Sequence, residues 1–354
     1  MKLTCTQPDL NSALRTVARA VSNGKTHPIL SGVCIVATEA GELHLTAYDL
    51  ELGIHATIPA AVADAGSAVV PYRLLSDICS RLAGAEAVSL AIDGARLELT
   101  AAGASYSLSV ASADDFPGLP AVKAVAGASA DFSGALAAVL PACSADAAKQ
   151  LLTGVHVAAD GTALRLEATD GHRLAIRTMP CDLPAMDAVI PARTLGLVRQ
   201  QATIACDGAH VAITLADGTR VISRVLDGTY PNAKALVPAS FKATLTTDRD
   251  TLLRALERVA VISDQHNGIV KLQASGKALT LSAEAETNSG IESVPIAGKL
   301  PALAINAHYL ADGLRGFDAE QITISANDAT SPVVITGAGM DQTYLIMPVQ
   351  IRES

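Results

Sequence analysis

Leu43-His44-Leu45-Thr46-Ala47 is matched by Leu164-Arg165-Leu166-Glu167-Ala168 and again by Leu279-Thr280-Leu281-Ser282-Ala283. From Ala47 to Ala168 is 121 residues and from Ala168 to Ala283 is 115, so each copy is the size of a small domain. An isoleucine follows each copy within eight residues: Ile54, Ile176 and Ile291. Two further registers keep these offsets. Val70-Pro71, Ile190-Pro191 and Ile305-Asn306 lie 120 and 115 apart, and Leu14, Leu136 and Leu253 lie 122 and 117 apart. Self-similarity at a fixed period has to be settled before any fold is assigned, because it dictates the architecture.

Within each copy the order of elements also repeats. NSALRTVARAV, SGALAAVLPAC and DTLLRALERVA read as first helices, and PYRLLSDICSRL, PARTLGLVRQQ and NAHYLADGLRGF as second helices. Leu10, Leu14, Val17 and Val21 follow helical spacing, whereas GVCIVAT, ELHLTAYD, LGIHATIPA, AVSLAID, ARLELTA and ASYSLSVA alternate with period two between Gly, Asp and Asn punctuation. Two short helices per copy cannot cover both faces of that much sheet. The expected fold is therefore α+β, with three repeated domains that each gather two helices on one face of antiparallel sheets. Their expected bounds are 1–120, 127–238 and 239–354, with DDFPGLPAV (114–122) and DGTYPNAKALVP (227–238) at the joints.

A chain of 354 residues that is 50% hydrophobic buries ample core. No apolar run approaches the roughly 18 residues of a membrane span, and MKLTCTQPDL lacks a signal-peptide core, so a soluble, cytoplasmic protein is expected. Cys5, Cys34, Cys79, Cys143, Cys181 and Cys206 form no CxxC pair and have no histidine at ligand spacing; they are read as free thiols, with no metal and no cofactor. The lack of Trp argues against a base-stacking surface for single strands.

A net charge of −9 counts against a nucleic-acid partner, but the cations are placed in a pattern. Arg15 and Arg19, and Arg254 and Arg258, sit four apart on first helices, so each pair shares a face. The second helices supply Arg73 and Arg81, Arg193 and Arg199, and Arg315, while Lys25 and Lys149 follow first helices. These are either ordinary solvated helix faces or, if every repeat turns its helices to one surface, a cationic lining that binds phosphate without reading sequence.

The motifs HPILSGV (27–33), YSLSVASADDFPGLP (106–120), ATDGHRLAI (168–176), VIPARTL (189–195), DGTYPN (227–232), INAHYL (305–310) and YLIMPVQI (344–351) resemble, in order and over nearly the whole chain, the β sliding clamp of bacterial DNA polymerase III. The resemblance implies a subunit that pairs head to tail into a closed ring around duplex DNA, helices lining the hole. It implies a homodimer seam at Tyr106, Leu108, Val261 and Ile262. It implies sequence-independent phosphate contacts from Lys25, Arg73, Lys149 and Arg193, with Arg15, Arg19, Arg254 and Arg258 as weaker contributors. It also implies a pocket for a linear motif of about five or six residues, rich in Gln and Leu/Phe, borne by the replicative polymerase, the clamp loader and other partners.

Carried over by position, that pocket is Leu152, Thr169, Gly171, His172, Arg173, Leu174, Pro231, Asn306, Tyr309, Leu345, Met347, Pro348 and Val349, with Leu174, Met347 and Val349 expected in its floor. The chain departs from the family at Ala235, where a basic residue is common, near Asn267, where a bulky one is, and at Gln350, which replaces arginine two places before Arg352-Glu353-Ser354. These changes point to weaker peptide affinity and to a divergent or accessory copy.

No Gly-rich phosphate loop, HExxH, Ser elbow or usable carboxylate pair is present, so no catalysis is expected. The most enzyme-like cluster is Asp170, His172 and Arg173, which lacks a neighbouring nucleophile and reads as a turn. Three readings remain open: a processivity clamp, an enzyme using Asp170 and His172, and a clamp-fold paralogue with altered partners or lost loading.

Overall fold

The computed structural model describes residues 1–82, 87–124, 127, 129–264 and 267–350. In chain order its first elements are β1 (Lys2–Cys5), α1 (Gln7–Val17), β2 (Gly32–Thr38), β3 (Glu42–Tyr48), β4 (Leu52–Pro59), β5 (Ala61–Asp64), β6 (Gly66–Pro71), α2 (Tyr72–Arg81), β7 (Val88–Asp93), β8 (Arg96–Ala101) and β9 (Ala104–Ser109). Then come β10 (Ala130–Asp131), α3 (Ser133–Val139), β11 (Gly154–Ala159), β12 (Ala163–Thr169), β13 (Arg173–Pro180), β14 (Met186–Pro191), α4 (Ala192–Leu195), β15 (Gln201–Cys206), β16 (His210–Leu215) and β17 (Arg220–Arg224). The last are β18 (Ala243–Asp248), α5 (Arg249–Ser263), β19 (Ile269–Ser275), β20 (Ala278–Ala285), β21 (Asn288–Pro295), β22 (Ala297–Gly298), β23 (Leu303–Asn306), α6 (Ala307–Arg315), β24 (Gln321–Ala326), β25 (Val333–Gly337) and β26 (Gln342–Ile346).

Two compact units result, residues 1–129 with 200–224, and 130–199 with 225–354. In the first, β5-β1-β7-β8-β9 form one sheet and β15-β16-β17-β4-β3-β2-β6 run side by side in another. In the second, the order β14-β11-β12-β13-β26-β25-β24-β18-β22 makes one sheet and β21-β20-β19-β23 the other. Strands of different repeats share a ladder in each: β17 pairs β4 through Val221↔Ile54, and β13 pairs β26 through Leu174↔Leu345. This pairing is why the compact units do not follow the three repeats.

The helices start where the sequence supplies an acceptor. Thr6 Oγ1 accepts the Asp9 N–H at 3.2 Å, Asp248 Oδ1 accepts that of Thr251 at 2.7 Å, and Asn306 Oδ1 accepts that of Tyr309 at 3.1 Å. Each then buries one stripe: Leu10, Leu14 and Val17 on α1, Leu252, Leu256 and Val259 on α5, and Leu310 and Leu314 on α6 are at most 2% exposed. Two expectations need correcting. The helix expected over PARTLGLVRQQ ends at Leu195, because Gly196 breaks it and Leu197 and Val198 close tighter turns onto Thr194 and Leu195. Likewise α1 ends at Val17, and Arg19 falls in a 3-10 turn at 18–20, so Arg15 and Arg19 do not sit on one continuous α-helix.

The repeated five-residue motif is the second strand of a hairpin in every copy, and Leu43, Leu45, Leu164, Leu166, Leu279 and Leu281 are at most 2% exposed. Packing tolerates little additional volume. A Cβ on Gly313 of α6 would lie 2.5 Å from Cδ1 of Tyr344, a fully buried ring. We expect Gly313→Ala to lower stability by about 1–3 kcal/mol in urea denaturation despite alanine's better helix propensity. An unchanged or raised midpoint would contradict this packing.

Candidate peptide groove and cationic helix faces

The β12–β13 hairpin turns at Asp170-Gly171, where Gly171 has φ +96°. Asp170 Oδ1 accepts the N–H groups of His172 (2.8 Å) and Arg173 (3.1 Å), while Thr169 Oγ1 donates to the Arg173 carbonyl (2.6 Å). Lys149 Nζ donates to the Asp170 carbonyl at 3.1 Å, and the Tyr230 hydroxyl accepts the Thr169 N–H at 3.1 Å. Asp170 is thus the staple of a turn and His172 is exposed beside it, so the pair assembles no acid–base machinery.

Arg173 ties this turn to α6 and β26. Its Nε lies 3.0 Å from Asp170 Oδ2, its Nη1 donates to Asp312 Oδ2 at 2.6 Å and to the Tyr344 hydroxyl at 3.4 Å, and its guanidinium carbon sits 4.3 Å from the Tyr309 ring centroid. Burial opposes the guanidinium charge, and the contacts with Tyr344, Asp312 and Asp170 more than restore it. Among the described residues no other arginine joins so many elements.

The apolar floor lies on the face of β13 that carries Leu174. Leu174, Ile176, Ala233, Val334 and Leu345 form one buried cluster, with Val237 and Phe241 packed against it. Met347, expected in the floor, is instead 37% exposed. Strand β26 ends at Ile346, and the Met347 N–H is drawn to the His172 carbonyl at 2.8 Å, which leaves its side chain at the rim. Val349 does not join this cluster. Its N–H bonds the Ala304 carbonyl at 2.8 Å, and it lines a separate cleft of about 620 Å³ with Leu272, Leu303 and Gln350. Of the other expected pocket residues, Pro231 is exposed, Asn306 caps α6, and Leu152, Tyr309 and Pro348 are half-buried. Ile176, Val334, Val237 and Phe241 were missed in the sequence; the alternation of ATDGHRLAI points to Ile176, and nothing local marks the rest.

Lys25, Arg15, Arg19, Arg73, Lys149, Arg193, Arg254 and Arg258 are all exposed. Two have other partners: Lys149 as above, and Arg258, whose Nε and Nη2 bond Glu292 at 2.6 and 2.9 Å. Of the seam residues, Tyr106 and Val261 are 38% and 62% exposed, Leu108 is packed inside its own subunit at 8%, and Ile262 is half-buried. Ile291 on the edge strand β21 is 74% exposed and was read in the sequence only as a repeat marker. Arg352-Glu353-Ser354 lies outside the described residues.

Beneath the outer face of β11 and β12, His156 bridges two carboxylates, with Nδ1 3.2 Å from Glu167 Oε2 and Nε2 2.8 Å from Asp187 Oδ1, and its ring stacks on Tyr230 at 5.3 Å. The Glu167 hydrogen bond raises the His156 pKa against the opposing effect of burial, and the same bond lowers that of Glu167. All six thiols are free; burial pushes those of Cys5, Cys79 and Cys143 up to about 12. No helix among the described residues is long and apolar enough to cross a membrane.

Repeated domains with helix-borne cations and an apolar groove at a hairpin end define a DNA clamp. The chain matches the DNA polymerase III beta subunit over its N-terminal domain at residues 1–120, its central domain at 128–232 and its C-terminal domain at 234–350. It is 39% identical to the beta sliding clamp of Synechococcus elongatus and 37% identical to that of Synechocystis sp., over 99% of this chain and 100% of each relative. The DNA polymerase sliding clamp from Bacillus subtilis superposes with a TM-score of 0.92 at 25% identity, covering 99% of this chain and 100% of that one. A clamp from Pseudomonas aeruginosa solved bound to griselimycin gives 0.88 at 25%, with the same coverage. The chain belongs to the DNA polymerase III beta subunit family. It is a DNA sliding clamp and not an enzyme.

The raised His156 pKa gives stability that is present below about pH 6.5 and lost as pH rises through the folded value; the lowered Glu167 pKa gives stability present above about pH 4.5 and lost as pH falls through its folded value. His156→Gln should therefore cost most near pH 5–6, about 1–3 kcal/mol, and less at pH 9. Urea midpoints across this range check it, and a pH-independent difference would refute the bridge.

Proposed function

We propose that two copies of this chain close head to tail into a ring that encircles duplex DNA and tethers the replicative polymerase, the clamp loader and other motif-bearing proteins in the cytoplasm. The observation that carries this reading is that exposed cations stand on or beside the helices of both compact units: Arg15, Arg19, Lys25 and Arg73 in the first, and Lys149, Arg193, Arg254 and Arg258 in the second. Such groups contact phosphates without reading bases, which suits a ring that slides. Arg258 and Lys149 contribute less in this reading, since each has another partner. Three clamp domains are proposed at 1–120, 127–238 and 239–354.

The dimer seam joins strand β9, an unpaired sheet edge with exposed Tyr106, to the partner's edge strand β21 with exposed Ile291, next to Val261 and Ile262 on α5. Exposed apolar edges invite such pairing. In the groove, Leu174 and Leu345 supply the floor, and His172, Arg173, Asn306, Tyr309 and Met347 the rim, of a site for Leu or Phe anchors of a linear motif. Without a basic side chain at Ala235 or Gln350, affinity falls at the weaker end, micromolar or poorer.

Loaded onto circular primed DNA with its cognate loader, the protein should resist salt that strips it from the same DNA once linearised. Equal salt sensitivity on the two templates would exclude encirclement. In peptide titrations Met347→Ala should weaken a polymerase-tail peptide by about tenfold, as loss of an apolar anchor of roughly 1–2 kcal/mol does. Affinity equal to that of the native chain would mean the groove has been misplaced.

A further inference from the structure

The cleft that continues the groove along the face of β12 and β13 differs from it in chemistry. Register pairs Thr169 with Leu174, Glu167 with Ile176 and Arg165 with Thr178, so these six side chains share one sheet face. Leu174 and Ile176 belong to the apolar floor, and Arg165 and Thr178 line the cleft beyond it, about 670 Å³ in volume. Lys234 lines the same cleft and is the sequence neighbour of Ala233, another floor residue. The cleft is therefore the groove's extension, large enough for a side chain and its neighbours.

Its charges are unequally engaged. Asp160 Oδ1 accepts the N–H groups of Thr162 and Ala163 and the Thr162 hydroxyl, each at 2.9 Å, and Asp187 Oδ1 is held by His156 at 2.8 Å. The cations are not held in this way. Arg165 has one loose contact, Nε to Glu167 Oε1 at 3.4 Å, and Lys234 is exposed with no ion pair among the described residues. Glu167 itself is 4% exposed with Oε1 lacking a hydrogen bond, so it anchors the arginine from below and cannot reach outward to neutralise it.

We propose that Arg165 and Lys234 form a specificity subsite for an acidic residue that flanks the apolar anchors of a partner's linear motif. The proposal rests on the groove reading above and deepens it: anchors fill the space over Leu174 and Leu345, and an Asp or Glu carboxylate of the same peptide lies between the two cations. Charge at this point replaces the basic contribution absent at Ala235, the residue next to Lys234. Partners with an acid beside their anchors are thereby favoured over those with a neutral or basic flank.

Anchor peptides with Glu at the amino-terminal flank, Glu at the carboxy-terminal flank, or Gln at both should be titrated into the full-length native protein, the Arg165→Gln/Lys234→Gln double variant, Lys234→Gln alone and Met347→Ala. One of the two Glu peptides should bind the native protein about fivefold tighter than the Gln peptide. That preference should shrink in high salt, halve or better in Lys234→Gln, and vanish in the double variant, whose affinity for the Gln peptide stays native. Equal native affinity for all three peptides overturns the subsite, as does a double variant that weakens Glu and Gln peptides by one common factor. Inorganic phosphate that binds the cleft without discriminating among the peptides would mean a simple anion site, and also overturns it. Failure of the groove reading looks different: no peptide binds, or Met347→Ala changes nothing.

Discussion

Backbone pairing between strands of successive repeats is the constraint on which the rest depends. Each copy contains too few helices to cover its sheets, and a sheet that ends in an open edge exposes a row of unpaired N–H and C=O groups. The chain closes two such edges internally. Val221 and Ile222 on β17 sit opposite Ile54 and Gly53 on β4, and Arg173 to Arg177 on β13 sit opposite Ile346 to Gln342 on β26. A ladder of this kind fixes register to the residue, because a slip of one would turn Leu174 and Leu345 from the buried face to the other.

The groove exists because of the second ladder. Where β13 begins and β26 ends, two strands far apart in sequence stop at the same place, and the chain ends that leave them, Asp170-Gly171-His172 and Met347-Pro348-Val349, form its rim. Arg173 then fixes the rim to α6 through Asp312 and Tyr344. Side chains of Arg173 and Asp170 are only 10% and 12% exposed, so truncating either leaves a charge in a poor solvent, a loss of about 3–5 kcal/mol in comparable buried pairs. Rigidity here has a functional side, since a peptide that meets a preformed groove loses less free energy in ordering it.

Periodicity made the hairpins legible before any coordinates: ELHLTAY, ALRLEAT and ALTLSAEA each alternate, and each is a strand whose leucines are buried. Helix α4 was overread because Leu195, Leu197 and Val198 keep an apolar face through Gly196, and apolar spacing says nothing of where a backbone stops. The groove was legible as a set of names through family resemblance, but its depth was not. Met347 at the rim, Val349 in a different cleft, and Val334 and Phe241 against the floor follow from strand ends and from pairings between residues more than 150 positions apart, which no local pattern encodes. The His156 bridge was invisible for the same reason: Glu167 and Asp187 meet it from two different strands.

The net charge of −9 and the proposed embrace of DNA are compatible because the acids are used up in turns. Asp160 lies between β11 and β12, Asp207 between β15 and β16, and Asp328 between β24 and β25, and each accepts the N–H groups of the residues just after it. Backbone donors from Thr162 and His210, and the Ser331 side chain, hold the Asp160, Asp207 and Asp328 carboxyls below the usual range. The arginines of α1, α2 and α5 sit instead on exposed helix faces. Screening in physiological salt confines charge effects to about 8 Å, so a phosphate at a helix surface responds to the cations beside it and not to the sum over the chain. Placement, which the helical spacing of Arg254 and Arg258 already announces, therefore decides the partner, and total charge bears on solubility.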